Sequence, residues 1–290
     1  MSLASLSLVV LAAFVHATWN LMSKRAAAAG PAFVFAYNIV ACVAYAPWVL
    51  WLLAQGNVNW SWAVAICIAV SGVFHLAYSL CLQRGYQVAD LSVVYPVARG
   101  TGPMLSSICA FLILGETPTS LGLIGLAAVI AGIALISTQG DLRAFSKPKG
   151  QAGVWWGMAT GALIASYTVV DAYGVKVLLI APVILDWFGN ILRFVLLAPI
   201  VARDRSRTLQ LMQGKWWLAI GVGLLSPLSY ILVLAALEMG AAVSVVAPAR
   251  EMSMMVGALF GMLILRERVG PWRLFGCAVL LFGVVMLSAS

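Results

Sequence analysis

The sequence predicts an all-α polytopic membrane protein, with ten transmembrane helices arranged as two inverted five-helix repeats around a central cavity. Three observations predict it. Of the 290 residues, 63% are apolar and only 9% charged, against about 45–50% and about 25% in soluble domains. Ten segments are long and apolar enough to cross a bilayer, which takes about 20 residues each. The two halves of the chain also repeat one another in register. So little charge cannot cover a water-soluble fold. A soluble enzyme, a nucleic-acid binder and a disordered chain are therefore excluded, and the net charge of +8 reflects the placement of loops.

The segments run over residues 3–23, 31–54, 61–83, 91–114, 119–137, 152–172, 179–202, 215–237, 242–265 and 271–288. Gly30-Pro31, Gln55-Gly56-Asn57, Gly115-Glu116-Thr117-Pro118 and Gly270-Pro271 punctuate them. Only 138–151 and 203–214 read as longer polar loops. Residues 1–17 have the apolar character of a secretory leader, but the first basic residue is Lys24, so span 1 reads as a retained helix. Thirteen of the 17 Lys and Arg residues fall in the loops that follow the odd-numbered spans. Lys176 lies on the other side, and Arg99, Arg193 and Arg250 lie inside spans. The positive-inside rule puts the charged loops in the cytoplasm and both termini on the outer side. The five cysteines form no CxxC pair and read as small buried hydrophobes.

The repeat is seen at an offset of 151 or 152 residues, so that residues 1–145 form one copy and 146–290 the other. Ser92-Val93-Val94-Tyr95-Pro96 recurs as Ser244-Val245-Val246-Ala247-Pro248, Arg99 as Arg250, Glu116 as Glu267, Gly125 as Gly276 and Gly132 as Gly283. Each copy holds an odd number of spans, so the second enters the membrane upside down. Inverted repeats are a signature of secondary transporters, in which two halves rock about a shared site.

His16-Ala17-Thr18-Trp19-Asn20 in span 1, Ser92 to Gly100 in span 4 and Gly115-Glu116 before span 5 resemble the EamA-like branch of the drug/metabolite transporter superfamily, and the resemblance covers essentially the whole chain. It implies a basket of helices with spans 1–4 and 6–9 lining a cavity and spans 5 and 10 at the periphery. It also implies export of amino acids or related metabolites across a bacterial inner membrane, which puts both termini in the periplasm. Ala247 stands where the first copy has Tyr95, so the cavity is not expected to be chemically symmetric.

Polar side chains within spans face a cavity or a partner. In span 3, Ser71, His75, Tyr78, Ser79 and Leu82 share a face. His75 and Tyr78 either line the cavity or fill a helix interface. Arg99 lies about 12 Å into span 4, one turn from Tyr95. It either binds a carboxylate in two-pronged fashion or makes a structural ion pair. His16, Trp19 and Asn20 share a face of span 1, and Tyr167 and Asp171 are one turn apart in span 6, with Asp171 near a solvated end. In span 7, Asp186, Asn190 and Arg193 form a stripe beside Trp187, with Asp186–Arg193 as a structural pair; Arg250-Glu251 forms a neutralised couple in span 9. Tyr230 and Ser226 repeat the span-3 face in span 8. Pro96, Pro227 and Pro248 are candidate hinges. Glu116 and Glu267 are expected at helix N-termini. Gly153, Gly157 and Gly161 form a small-residue stripe, as do Gly257 and Gly261; packing within one chain explains them better than a dimer interface.

The substrate-binding candidates are therefore His16, Trp19, Asn20, His75, Tyr78, Tyr95, Arg99, Tyr167, Trp187 and Tyr230. Aromatic rings suit an organic solute carrying an ammonium, and His75 is the proton carrier if transport is proton-coupled. A multidrug exporter of lipophilic cations would need a carboxylate facing the cavity, with Asp171, Asp186 and Glu251 the candidates. No HExxH, GxSxG, P-loop or metal-ligand cluster points to a membrane-embedded enzyme or to a cofactor. A non-transporting scaffold predicts that Tyr78 and Arg99 matter only for stability.

Overall fold

In a computed structural model of the chain, the structure describes residues 1–56, 59–89, 91–139, 141, 143, 148–263 and 270–290. The helices are α1 (Leu3–Arg25), α2 (Pro31–Ala54), α3 (Trp62–Val88), α4 (Leu91–Ile113), α5 (Ser120–Thr138), α6 (Pro148–Lys176), α7 (Pro182–Ala202), α8 (Arg205–Met212), α9 (Trp216–Glu238), α10 (Val243–Ala249), α11 (Met252–Leu263) and α12 (Pro271–Ala289). Among the described residues, nine helical segments have the length and apolar composition to cross a membrane. The last but one of them, Val243–Phe260, comprises α10 and part of α11. The protein is a multi-pass helical membrane protein. The large apolar side chains on its outside, such as Trp48, Trp51, Ile66 and Phe282, face the lipid.

Local sequence sets the helix ends. Gly30 takes φ 52° ahead of Pro31 at the first position of α2, a backbone that glycine adopts without strain. The Ser61, Thr119 and Asp204 side chains accept from Val64, Gly122 and Arg207 backbone N–H groups at the starts of α3, α5 and α8, satisfying donors that the helices leave open.

Three spans depart from expectation. Spans 3 and 6 are longer than 61–83 and 152–172, because α3 covers 27 residues and α6 covers 29. Span 9 is not one helix: it breaks at Arg250-Glu251, two residues after Pro248. By contrast α4 stays helical through Pro96 and Pro103, and α9 through Pro227. The α-amino group of Met1 donates to the Ser288 carbonyl at 3.0 Å, so the two termini meet at one end of the molecule.

The packing between helices follows a pattern. α5 packs on α12, α4 on α6, α1 on α9 and on α11, α3 on α6, α2 on α7 and on α9, and α3 on α7. The α5–α12 crossing is close, since a Cβ on Gly283 would lie 2.7 Å from the Gly125 carbonyl oxygen, and one on Gly132 2.7 Å from the Leu280 backbone nitrogen. Gly153 and Gly157 face Val93 and Val97 of α4. Gly257 faces open space.

Candidate functional site

Between the halves lies a cavity of about 90 Å³. Its lining comes from α1 (His16, Trp19), α2 (Tyr37), α3 (His75, Tyr78, Ser79), α4 (Arg99), α6 (Tyr167), α7 (Asp186, Asn190, Arg193), α9 (Ser226, Pro227, Ser229, Tyr230) and the break after α10 (Arg250), while α5 and α12 supply none of it.

One wall is aromatic and is backed by a carboxylate. His75 Nε2 lies 3.0 Å from Asp171 Oδ2, and the Tyr230 hydroxyl donates to the same oxygen. Tyr167 stacks on His75 with ring centroids 3.9 Å apart, and Tyr78 meets Tyr167 edge-on at 5.6 Å. Asp171 is buried, and its Oδ1 makes no hydrogen bond among the described residues. This corrects the expectation of a solvated Asp171. With α6 extending to Lys176 and packed on α3, that turn lies inside the protein.

The rest of the lining carries charged groups. Arg99 Nε pairs with Glu251 Oε2 at 2.7 Å, and its Nη2 donates to Ser253 Oγ at 2.9 Å. Arg250 lies 3.9 Å from Glu251. Glu251 is therefore shared, with its closer partner on α4 rather than the adjacent Arg250. On α7, Asn190 Nδ2 donates to Asp186 Oδ2 at 2.7 Å, Arg193 Nη2 donates to Asn190 Oδ1 at 2.7 Å, and Arg193 approaches Asp186 at 3.8 Å. On α1 the Trp19 indole donates to Ser229 Oγ at 3.0 Å, with His16 edge-on to Trp19.

Seven of the substrate-binding candidates thus meet at one cavity: His16, Trp19, His75, Tyr78, Arg99, Tyr167 and Tyr230. Asn20, Tyr95 and Trp187 are not among its lining residues. Tyr95 packs against the apolar core with the Arg99 guanidinium 5.7 Å from its ring centre, and the Trp187 indole donates to the Cys42 carbonyl at 2.8 Å. Sequence reasoning missed Tyr37, Ser229 and Ser253, whose roles depend on partners from other helices.

The EamA-like transporter family matches residues 3–138 and again residues 151–289. The chain belongs to the EamA-like transporter family. Its members are membrane transporters of small solutes, in keeping with the multi-pass helical architecture. A solved structure titled only as the crystal structure of a protein is 14% identical and superposes over 100% of this chain and 98% of its own, with a TM-score of 0.77; this shows a shared fold. No curated relative matches by sequence.

Glu116 sits at a helix N-terminus, but that of α10 rather than of the helix that follows it in sequence. Thr119 caps α5. Glu116 instead accepts from the backbone N–H groups of Val243 (2.6 Å) and Ser244 (3.0 Å) and from Ser244 Oγ (2.6 Å), so it caps α10 in the other half. Lys176 lies 3.5 Å away. A second cavity of about 290 Å³ lies beside this contact, next to Ser290. Glu267 and Gly261 lie outside the residues whose side chains are described.

Proposed function

We propose that this transporter exports amino acids or related small metabolites across a bacterial inner membrane, by alternating access to the central cavity. In this reading α4 also crosses the membrane, as span 4, and brings the nine candidate spans to ten; residues 1–145 and 146–290 are inverted repeats, and both termini are periplasmic. The packing supports the repeat. Exchanging the halves turns α1–α9 into α6–α3, α4–α6 into α11–α1 and α2–α9 into α7–α3, each of which occurs. The observation that carries the function is the cavity itself, which gathers rings and charged groups from both halves. Ligand pockets commonly measure about 300–1,000 Å³. At about 90 Å³ the cavity is contracted, and one end must widen to admit a solute. The small-residue stripe of α6 is used against α4, which favours a monomer. His75, held by Asp171, is the place where a proton would be carried if transport is coupled.

Asp171 also favours a second reading, a multidrug exporter of lipophilic cations, because a buried carboxylate stands behind aromatic rings that line the cavity. Proteoliposomes preloaded with mixed amino acids separate the two. Labelled amino acids are expected to exchange in the wild type, and Tyr78→Ala and Arg99→Ala to lose most of that exchange while remaining folded. Movement of tetraphenylphosphonium alone would favour the second reading, and no movement of any solute would contradict both.

A further inference from the structure

Six charged side chains gather at or behind the cavity: Arg99, Arg193, Arg250, Asp171, Asp186 and Glu251. The charges match in number but not in place. Arg193 has Asp186 on its own helix, and Arg99 takes the near oxygen of Glu251. Arg250 is left with a looser contact of 3.9 Å to the other oxygen, Oε1, of the same carboxylate. Its side chain is 6% exposed and lines the cavity, and it has neither the 2.7 Å carboxylate contact nor the serine partner that Arg99 has. Asp171 is the counterpart, with a side chain 1% exposed and Oδ1 unpartnered among the described residues. His75 Nε2 and the Tyr230 hydroxyl both engage Oδ2, which leaves Oδ1 open.

The cavity therefore has a surplus guanidinium at the break between α10 and α11, and a surplus carboxylate behind the rings of His75, Tyr167 and Tyr230. Buried charge without a partner is costly. A solute carrying both charges satisfies both ends, whereas a simple cation or anion satisfies only one. We propose that the cavity binds a zwitterion, with its carboxylate on Arg250 and its ammonium against the rings of His75, Tyr167 and Tyr230, backed by Asp171. The assignment rests on the amino-acid reading above. It places the carboxylate on Arg250 rather than on Arg99, whose guanidinium Glu251 and Ser253 already occupy.

The test uses the purified full chain, with thermal unfolding in detergent and counterflow in proteoliposomes as readouts. The probes are L-leucine and L-phenylalanine, their carboxamides, and the amine-free acids 4-methylpentanoate and 3-phenylpropanoate. At least one amino acid is expected to raise the unfolding midpoint, and its single-charge analogues to raise it much less. Arg250→Gln is expected to raise the half-saturating amino-acid concentration by about tenfold or more, and Arg250→Lys to restore part of the loss. Without solute, the Arg250→Gln midpoint stays at or above that of the wild type, because Arg99–Glu251 remains paired. Asp171→Asn weakens the amino acid but leaves the amine-free acid unchanged.

A carboxamide that binds as tightly as its amino acid, or wild-type affinity in Arg250→Gln, would overturn the assignment while leaving amino-acid transport intact. If neither amino acid shifts the midpoint or exchanges, while tetraphenylphosphonium does, the assignment and the amino-acid reading fall together.

Discussion

Glu251 stands between two guanidiniums in a nearly dry setting, its side chain only 1% exposed. Removing one member of a buried ion pair costs about 3–5 kcal/mol, because the partner's charge is left unmatched. Glu251→Gln strands Arg99 and Arg250 together, so it is expected to lower the unfolding midpoint in detergent far more than Arg250→Gln does. Equal midpoints for the two variants would contradict the shared pairing. This contact was only half legible in the sequence. The couple with Arg250 follows from adjacency, but Arg99 lies 152 positions away, and only the fold brings it to Glu251. Helical spacing found His75 with Tyr78 and Tyr167 with Asp171. It did not show that Asp171 holds His75 and Tyr230 together, because that contact joins three helices. The placement of Tyr95 was not legible for a related reason. It lies one turn from Arg99, but its ring supports the guanidinium rather than meeting the cavity.

Among the elements, the outer pair α5 and α12 shows how glycine sets a helix crossing. A Cβ on Gly283 would meet the Gly125 carbonyl oxygen and the Val129 backbone nitrogen, both at 2.7 Å. Neither backbone atom yields as a flexible side chain would, so Gly283→Ala is expected to cost about 1–3 kcal/mol. Gly257→Ala, with nothing within 4 Å of the added carbon, serves as the control and should leave the midpoint unchanged. Unfolding midpoints of the two variants check this, and an unaffected Gly283→Ala would refute the close crossing. Glu116→Ala likewise removes the cap on α10; loss of a cap costs about 0.5–2 kcal/mol, measurable in the same assay. Span positions were legible because apolar length and Gly/Pro punctuation mark them directly. The break in span 9 was not. Pro96 and Pro248 occupy matching positions in the repeat, yet α4 continues through its proline and the second copy stops at Arg250. The shared Glu251 and the turn it occupies depend on tertiary contacts.

At the scale of the whole molecule, helices from both halves of the chain line one cavity, and α5 and α12 leave it to the others. The internal repeat was legible in the sequence through rare residue types, Pro and Arg, in one register. The contracted volume did not follow from sequence, since it is a property of one conformation. If the halves rock around this cavity, its lining must meet water and solute during turnover. Ser226 on α9 is half-buried and lines it, and a thiol there is a direct probe. In sealed proteoliposomes, Ser226→Cys is expected to react with a small membrane-impermeant thiol reagent above the background set by the five native cysteines. A transported amino acid should slow that reaction and no other. A thiol that never reacts, or reacts at the same rate under saturating solute, would contradict the claim that the solute passes through this cavity.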